Sequence, residues 1–316
     1  MTANERYLAW IATGGTIAGS GTGHTYTAGA LPAELLCTRW GLNSPLPLRS
    51  ITPYQIDSKE ATPHHWRRLR DAVAAAIADP ACAAVVITHG TDTLEESAAL
   101  LALTLAPDRP IVLTGAMRPA DDPASDGPAN WHLASTVALD PTTPPGVYVA
   151  FAGALYPALG VRKMATTETA AFAAVAAGRD NLSQPLVQTS ADPARAPLPW
   201  PDPWPHVALL PCTALDDPAA LTTAVAQGSR GAVLLCTGHG SLPRRWEGPV
   251  VDATARGVAV VRASRCPLGP VLPHPIDASL GTWPAGRLSA AQARVALALV
   301  TAAADPRTLW YQIAQP

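Results

Sequence analysis

Residues 84–114 read AVVITHGTDTLEESAALLALTLAPDRPIVLT. The segment opens on one short apolar run, 84–88, and closes on another, 110–114, each of strand length. Between them Thr93 and Glu96 have the spacing of a helix-starting capping box. Strand, helix and strand within roughly thirty residues make a βαβ unit, whose parallel strands need a covering crossover.

The same rhythm continues outward. Apolar runs at 7–12, 146–151, 207–211, 231–236 and 257–262 alternate with helical patterns and are mostly bounded by Gly, Pro or Asp. The clearest helix starts at Thr62 as N-cap with Pro63 in first position, and places Trp66, Leu69, Val73, Ala76 and Ile77 on one face. Another starts at Ser289 and carries Ala293, Val295, Ala296, Leu299 and Val300. The expected class is therefore α/β, with a larger N-terminal doubly wound, mainly parallel sheet and a smaller C-terminal α/β domain. Seven prolines lie between 185 and 205, in QPLVQTSADPARAPLPWPDPWP (184–205). Such a segment neither donates regularly to a ladder nor continues a helix, so we expect domains at 1–184 and 206–316 with 185–205 as linker.

The chain has 316 residues, enough for one large or two modest domains, and is 48% apolar, 15% charged and net −2. These values argue against disorder and against nucleic acid as the main partner. Pro141, Pro144, Pro145 and Pro157 interrupt the longest weakly charged stretch, so no membrane-spanning segment is expected. The opening MTANERYLAWIATGG has Arg6 as its one positive charge and lacks a signal-peptide cleavage pattern, which points to the cytoplasm. Cys37, Cys82, Cys212, Cys236 and Cys266 are scattered and never in CxxC spacing; buried free thiols are expected, and no metal. Arginines number 20 and lysines only two, Lys59 and Lys163. A position kept as lysine has a reason in chemistry, because an arginine cannot shed its proton.

Ligands in open parallel sheets sit at the carboxyl ends of strands, so the loops after 12, 57, 88, 115 and 236 are the ones that matter. The first is ATGGTIAGSGTGHTYTAG. Gly14 and Gly15 permit a tight turn, Thr16 brings a hydroxyl to the strand end, and Gly19, Gly21 and Gly23 suggest a mobile flap carrying Tyr26. Phosphate binding is the rival reading, but neither GxGxxG nor GK[ST] spacing is present. The second loop offers Thr91 beside Asp92, whose carboxylate would also suit a helix start. A hydroxyl nucleophile needs a proton acceptor. Candidates are Tyr26, and Lys163 if burial and the adjacent Arg162 disfavour its charge, rather than His89 beside the loop.

TGGTIAG around Thr16 and HGTDTLEE around Thr91, together, resemble the two threonine signatures of bacterial L-asparaginases, particularly the type II branch with its glutaminase-asparaginases. The resemblance extends through PIVLTGAMRP, SDGPAN, KMATTETAAF and GVAVVRASRCPLG, and so across both halves of the chain. It implies an amidohydrolase converting L-asparagine to L-aspartate and ammonia through an acyl-threonine, without cofactor. It further implies Thr16 as nucleophile with Tyr26 beside it, and Thr91, Asp92 and Lys163 as a second polarising cluster. Asp92 would also take the substrate α-ammonium, Ser58 its α-carboxylate with Lys59 alongside, and backbone amides near Thr91 and the 115–117 turn, Ala116 included, the oxyanion.

The resemblance also implies a homo-oligomer, a dimer or tetramer, since related enzymes are tetramers built from dimers, in which a Glu of the neighbouring subunit often helps hold the α-amino group. The corresponding stretch here offers His274 or Asp277, and His239 and Ser241 stand where the resembling enzymes have asparagines. Lys59 replaces a Gln that many of them carry. Periplasmic relatives have a cysteine near Pro107 that this chain lacks, consistent with the cytoplasmic expectation. The alternatives are a dual glutaminase-asparaginase or other small ω-amide hydrolase, a silent asparagine or aspartate sensor, and a subunit of a tRNA-linked amidotransferase.

Overall fold

The structure, a computed structural model, describes residues 6–23, 25–42, 44–174 and 196–315. The chain forms two compact units, one containing Met1–Ala158 and Lys163–Ala173, the other Leu159–Arg162 and Leu198–Pro316. Of the expected linker, 185–195 lies outside the described residues, and Leu198–Pro205 groups with the second unit.

In chain order, β1 (Tyr7–Ala12) leads into a hairpin of β2 (Ser20–Thr22) and β3 (Thr25–Thr27), then α1 (Ala33–Trp40) and β4 (Leu48–Ile51). The helix α2 (Pro63–Ala78), β5 (Cys82–Thr88), α3 (Leu94–Thr104), β6 (Pro110–Thr114), α4 (Gly127–Leu139), β7 (Gly146–Phe151) and β8 (Ala154–Pro157) follow. Six strands form one sheet in the order β4-β1-β5-β6-β7-β8. All pairs are parallel except β7 with β8. All six residues of β1 are buried, as a strand covered on both faces requires. Leu8, Trp10, Val86, Val112 and Trp131 share a core cluster on one side of the sheet.

On α2, Leu69, Val73 and Ala76 are buried, while Trp66 and Ile77 are half-buried at the margins of the face. The capping box expected at Thr93 does not form. Its hydroxyl donates instead to the Ser58 carbonyl at 3.0 Å, and no side-chain cap bond is made at the start of α3. The hydroxyl is turned to a tertiary carbonyl rather than toward the helix amides.

Two short strands, β9 (Val161–Lys163) and β10 (Phe172–Ala174), come next in the chain, ahead of the C-terminal part of the second unit. Its elements are β11 (Val207–Cys212), α5 (Ala219–Ala226), β12 (Gly231–Cys236), α6 (Glu247–Ala255), β13 (Ala259–Ser264), α7 (Pro275–Leu280), β14 (Trp283–Pro284), α8 (Ala290–Val300) and α9 (Pro306–Ile313). The four strands form a parallel sheet in sequential order. Ser289 caps α8 by accepting from the Gln292 amide, as expected. The cysteine expectation holds for Cys82, Cys212 and Cys236, whereas Cys37 is half-buried and Cys266 exposed; all five are free. Among the described residues no helix is long and apolar enough to cross a membrane.

Candidate active site

In the first sheet β1 has β4 on one side and β5 on the other, so the chain reverses its direction of travel across the sheet at β1. Such a switch point leaves a crevice at the carboxyl ends of the two strands. Ala12 pairs with Thr88 at that end, and the loops that follow carry Thr16 and Thr91.

Two glycines allow these loops to approach. Gly15 has φ +78°, and a Cβ there would lie 2.2 Å from the Gly90 Cα; a Cβ on Gly90 would lie 2.5 Å from Ser58 Oγ. The loops after β1, after β4 and after β5 therefore meet at backbone contact distance, a packing open only to glycine. Ser58 is buried against Gly90 beside Thr91.

Thr16 Oγ1 and the Tyr26 hydroxyl are 2.8 Å apart, which places the phenol of the β2–β3 hairpin on the half-buried threonine. The Tyr26 ring lies against Gly19, where a Cβ would come within 2.8 Å of Cδ2. At the second threonine, Lys163 Nζ donates to Thr91 Oγ1 at 2.9 Å and to Asp92 Oδ1 at 2.7 Å. Thr91 is buried, while the Asp92 side chain is 54% exposed and keeps a face toward solvent. The arrangement supplies two polarised hydroxyls, a phenol, an ammonium and an accessible carboxylate. That set suits nucleophilic attack and proton transfer on a zwitterionic substrate.

Arg162 does not press on the lysine as expected. Successive strand residues face opposite ways: the Arg162 guanidinium donates to the carbonyls of Pro267, Arg287 and Leu288 at 3.0–3.1 Å, and Lys163 meets a carboxylate. His89 is a core residue. Its Nδ1 contacts the Gly90 carbonyl at 2.8 Å, its Nε2 contacts Ser97 Oγ at 3.0 Å, and burial pulls its pKa down to about 4. It is neutral at physiological pH, donating to Gly90 and accepting from Ser97.

Lys59 pairs with Asp57 at 2.8 Å and is largely exposed. That hydrogen bond, then the charges of Asp57, Glu60 and Asp92, raise its pKa. Ala116 is buried in the turn after β6. The next amide, Met117 N–H, is already committed to the Asp126 carboxylate, 3.0 Å from both oxygens.

In the second unit Asp277 is bound bidentately by Arg262 at 2.6 and 2.7 Å and also accepts from Thr282. Burial opposes its charge, but the bonds from Arg262 and Thr282 outweigh it and keep the carboxyl below its ordinary pKa. His274 caps α7 by accepting from the Ile276 amide, and His239 Nε2 accepts from the Leu272 amide. Ser241 and Thr237 form a two-way backbone bridge.

Sequence reasoning missed two carboxylates here. Glu95 Oε2 accepts from the Lys163 backbone N–H at 2.7 Å and so fixes the residue that bears the ammonium. Asp121 Oδ2 accepts from Ser20 Oγ and the Gly21 amide in the hairpin. Both contacts span long stretches of chain, and no local spacing announces them.

Comparison with known proteins gives a consistent picture. The family model described as "Asparaginase, N-terminal" matches residues 7–185, and "Glutaminase/Asparaginase C-terminal domain" matches 206–309. The chain is 30% identical to the probable periplasmic L-asparaginase of Haemophilus influenzae and 31% identical to L-asparaginase 2 of Escherichia coli, each time over 95% of this chain and 90% of the relative. The crystal structure of a probable cytoplasmic L-asparaginase from Campylobacter jejuni superposes with a TM-score of 0.84 at 28% identity, over 99% of this chain and all of that one.

Proposed function

The chain belongs to the asparaginase family, and from that premise we propose that it hydrolyses L-asparagine to L-aspartate and ammonia. The observation that carries the proposal is the pair of threonine loops at the carboxyl ends of adjacent strands, one hydroxyl on a phenol and the other on an ion-paired lysine. Thr16 Oγ1 attacks the side-chain amide carbon while its proton is relayed through the Tyr26 hydroxyl to the amide nitrogen, and the tetrahedral intermediate expels that nitrogen as ammonia to leave an aspartyl ester. A water polarised by Thr91 and Lys163 then attacks the ester, releasing aspartate and restoring the Thr16 hydroxyl. The oxyanion is held by backbone amides at the start of α3 and at Ala116, where pre-oriented dipoles act without reorganisation.

The substrate α-ammonium binds the open face of Asp92, and the α-carboxylate binds at Ser58 with Lys59 alongside. Ser58 is supported in this by its burial beside Thr91, and Lys59 by an exposed ammonium held by Asp57 in the same loop. Asp277 does not serve as a substitute for a partner's ammonium-binding carboxylate, because Arg262 and Thr282 occupy it. Assembly as a homo-oligomer and a cytoplasmic site of action complete the proposal; five free cysteines fit a reducing compartment.

The test is ammonia release by the purified chain with L-asparagine, D-asparagine and L-glutamine at matched concentrations. Preference for L-asparagine supports the proposal. Equal turnover of glutamine makes the protein a dual-specificity enzyme, since one methylene discriminates by only about 1–3 kcal/mol. Absence of release from folded protein rejects it.

A further inference from the structure

The β2–β3 hairpin that carries Tyr26 has little to hold it in place by itself. Its strands are three residues each, all of β3 is exposed, and only Ser20 and Gly21 of β2 are half-buried. A two-stranded ribbon of this length without an apolar face is marginal in water. Yet Tyr26 is placed within 2.8 Å of Thr16, so something outside the hairpin fixes it.

The segment 119–122 grips the hairpin residue by residue. The Ala120 amide donates to the Gly19 carbonyl at 3.1 Å. Asp121 Oδ2 accepts from Ser20 Oγ at 2.7 Å and from the Gly21 amide at 3.0 Å, while its other oxygen is ion-paired with Arg39 at the end of α1. Asp122 accepts from the Gly23 amide at 3.3 Å. Gly21 is the cross-strand partner of Tyr26, so the Asp121 bond falls directly opposite the phenol-bearing residue.

The gripping segment is itself braced. Asp126 accepts from the Met117 and Arg118 amides and from Asn130 Nδ2, and the Ala124 amide donates to Asp122 Oδ1 at 2.8 Å. A stiff loop thus holds a weak hairpin through charge-assisted bonds, which are shorter and stronger than neutral ones.

We propose that Asp121 is a positioning residue for the reaction: a carboxylate latch, charge-balanced by Arg39, that holds the hairpin closed and so sets Tyr26 on Thr16. The inference rests on reading Thr16 and Tyr26 as the reacting pair. It predicts that loosening the latch slows the chemistry only through Tyr26.

Two readouts on the intact chain test this. In amide hydrogen exchange of peptides covering residues 25–27, none of which donates to Asp121, Asp121→Ala should speed exchange about tenfold or more. Asp121→Asn, which keeps an acceptor without the charge, should have a smaller effect. Unchanged exchange in Asp121→Ala overturns the latch whether or not the chain hydrolyses asparagine. In ammonia release, Asp121→Ala should lower kcat about tenfold, and the Asp121→Ala/Tyr26→Phe double variant should match Tyr26→Phe within about twofold. Losses that multiply would show a route independent of Tyr26 and overturn the proposal. Wild-type protein that released no ammonia would defeat the reading of the site, and the exchange result would still decide the latch.

Discussion

Gly15 and Gly90 touch through their backbones: a Cβ built on Gly15 would lie 2.2 Å from the Gly90 Cα and 2.4 Å from its nitrogen. This contact brings the loop after β1 against the loop after β5, and with them the two threonines. Gly15→Ala must both adopt φ +78° with a side chain and separate the loops. The expected result is a fall in kcat/KM of about a hundredfold or more, since displacements near 1 Å cost that much. The stability cost should be only about 1–3 kcal/mol, read from chemical denaturation. A Gly15→Ala enzyme with full activity would show that the approach is dispensable.

Lys59 is exposed and shared with Asp57, so its charge should tune binding rather than chemistry. For Lys59→Gln we expect KM for L-asparagine to rise about two- to tenfold with kcat within about twofold, the pattern of a lost ground-state contact. Added salt should shrink the difference. A large drop in kcat at unchanged KM would place Lys59 in the chemistry instead.

His89 makes stability depend on pH. Its pKa falls from 6.5 to about 4 on folding because the ring is buried, so between those values the unfolded chain binds a proton that the folded chain does not. Stability from this group is complete above pH 6.5 and is lost as pH falls toward 4, by on the order of 3 kcal/mol. Urea titrations across that window should show the slope, and His89→Gln should flatten it by one proton. An unchanged slope in the variant would place the proton elsewhere.

Arg262 and Asp277 form an ion pair with side chains 2% and 7% exposed, inside the second unit. Removing one partner strands the other, so Arg262→Met should destabilise by about 3–5 kcal/mol. Arg262→Met/Asp277→Leu should recover much of that loss. A single variant as stable as wild type in thermal melts would contradict the burial.

The buried parallel strands were legible because a strand covered on both faces is a continuous apolar run, and β1, β6, β7 and β12 fall on the expected limits. What escaped were elements whose residues are half-exposed or few. The edge strand β4 (LRSI) alternates poorly, β2 and β3 are polar, β8 ends in proline, and β14 has two residues. The same limit applies to the site. Thr16, Thr91 and Asp92 sit on loops whose glycines and strand ends mark them in the sequence. Asp121 and Glu95 act across 101 and 68 residues of chain, where only the folded topology makes them neighbours. Thr93 shows the converse, since a sound local cap pattern goes unused while its hydroxyl donates to a carbonyl 35 residues away.

The most direct measurement is to mix the enzyme with L-asparagine, quench in acid within the first turnover, and map the aspartyl ester by peptide mass spectrometry. An adduct is expected on the peptide carrying Thr16, absent in Thr16→Ala, and accumulating in Thr91→Val, where attack by water on the ester is impaired. An ester found on Thr91, or burst-free turnover by Thr16→Ala at the wild-type rate, would rule out Thr16 as the nucleophile.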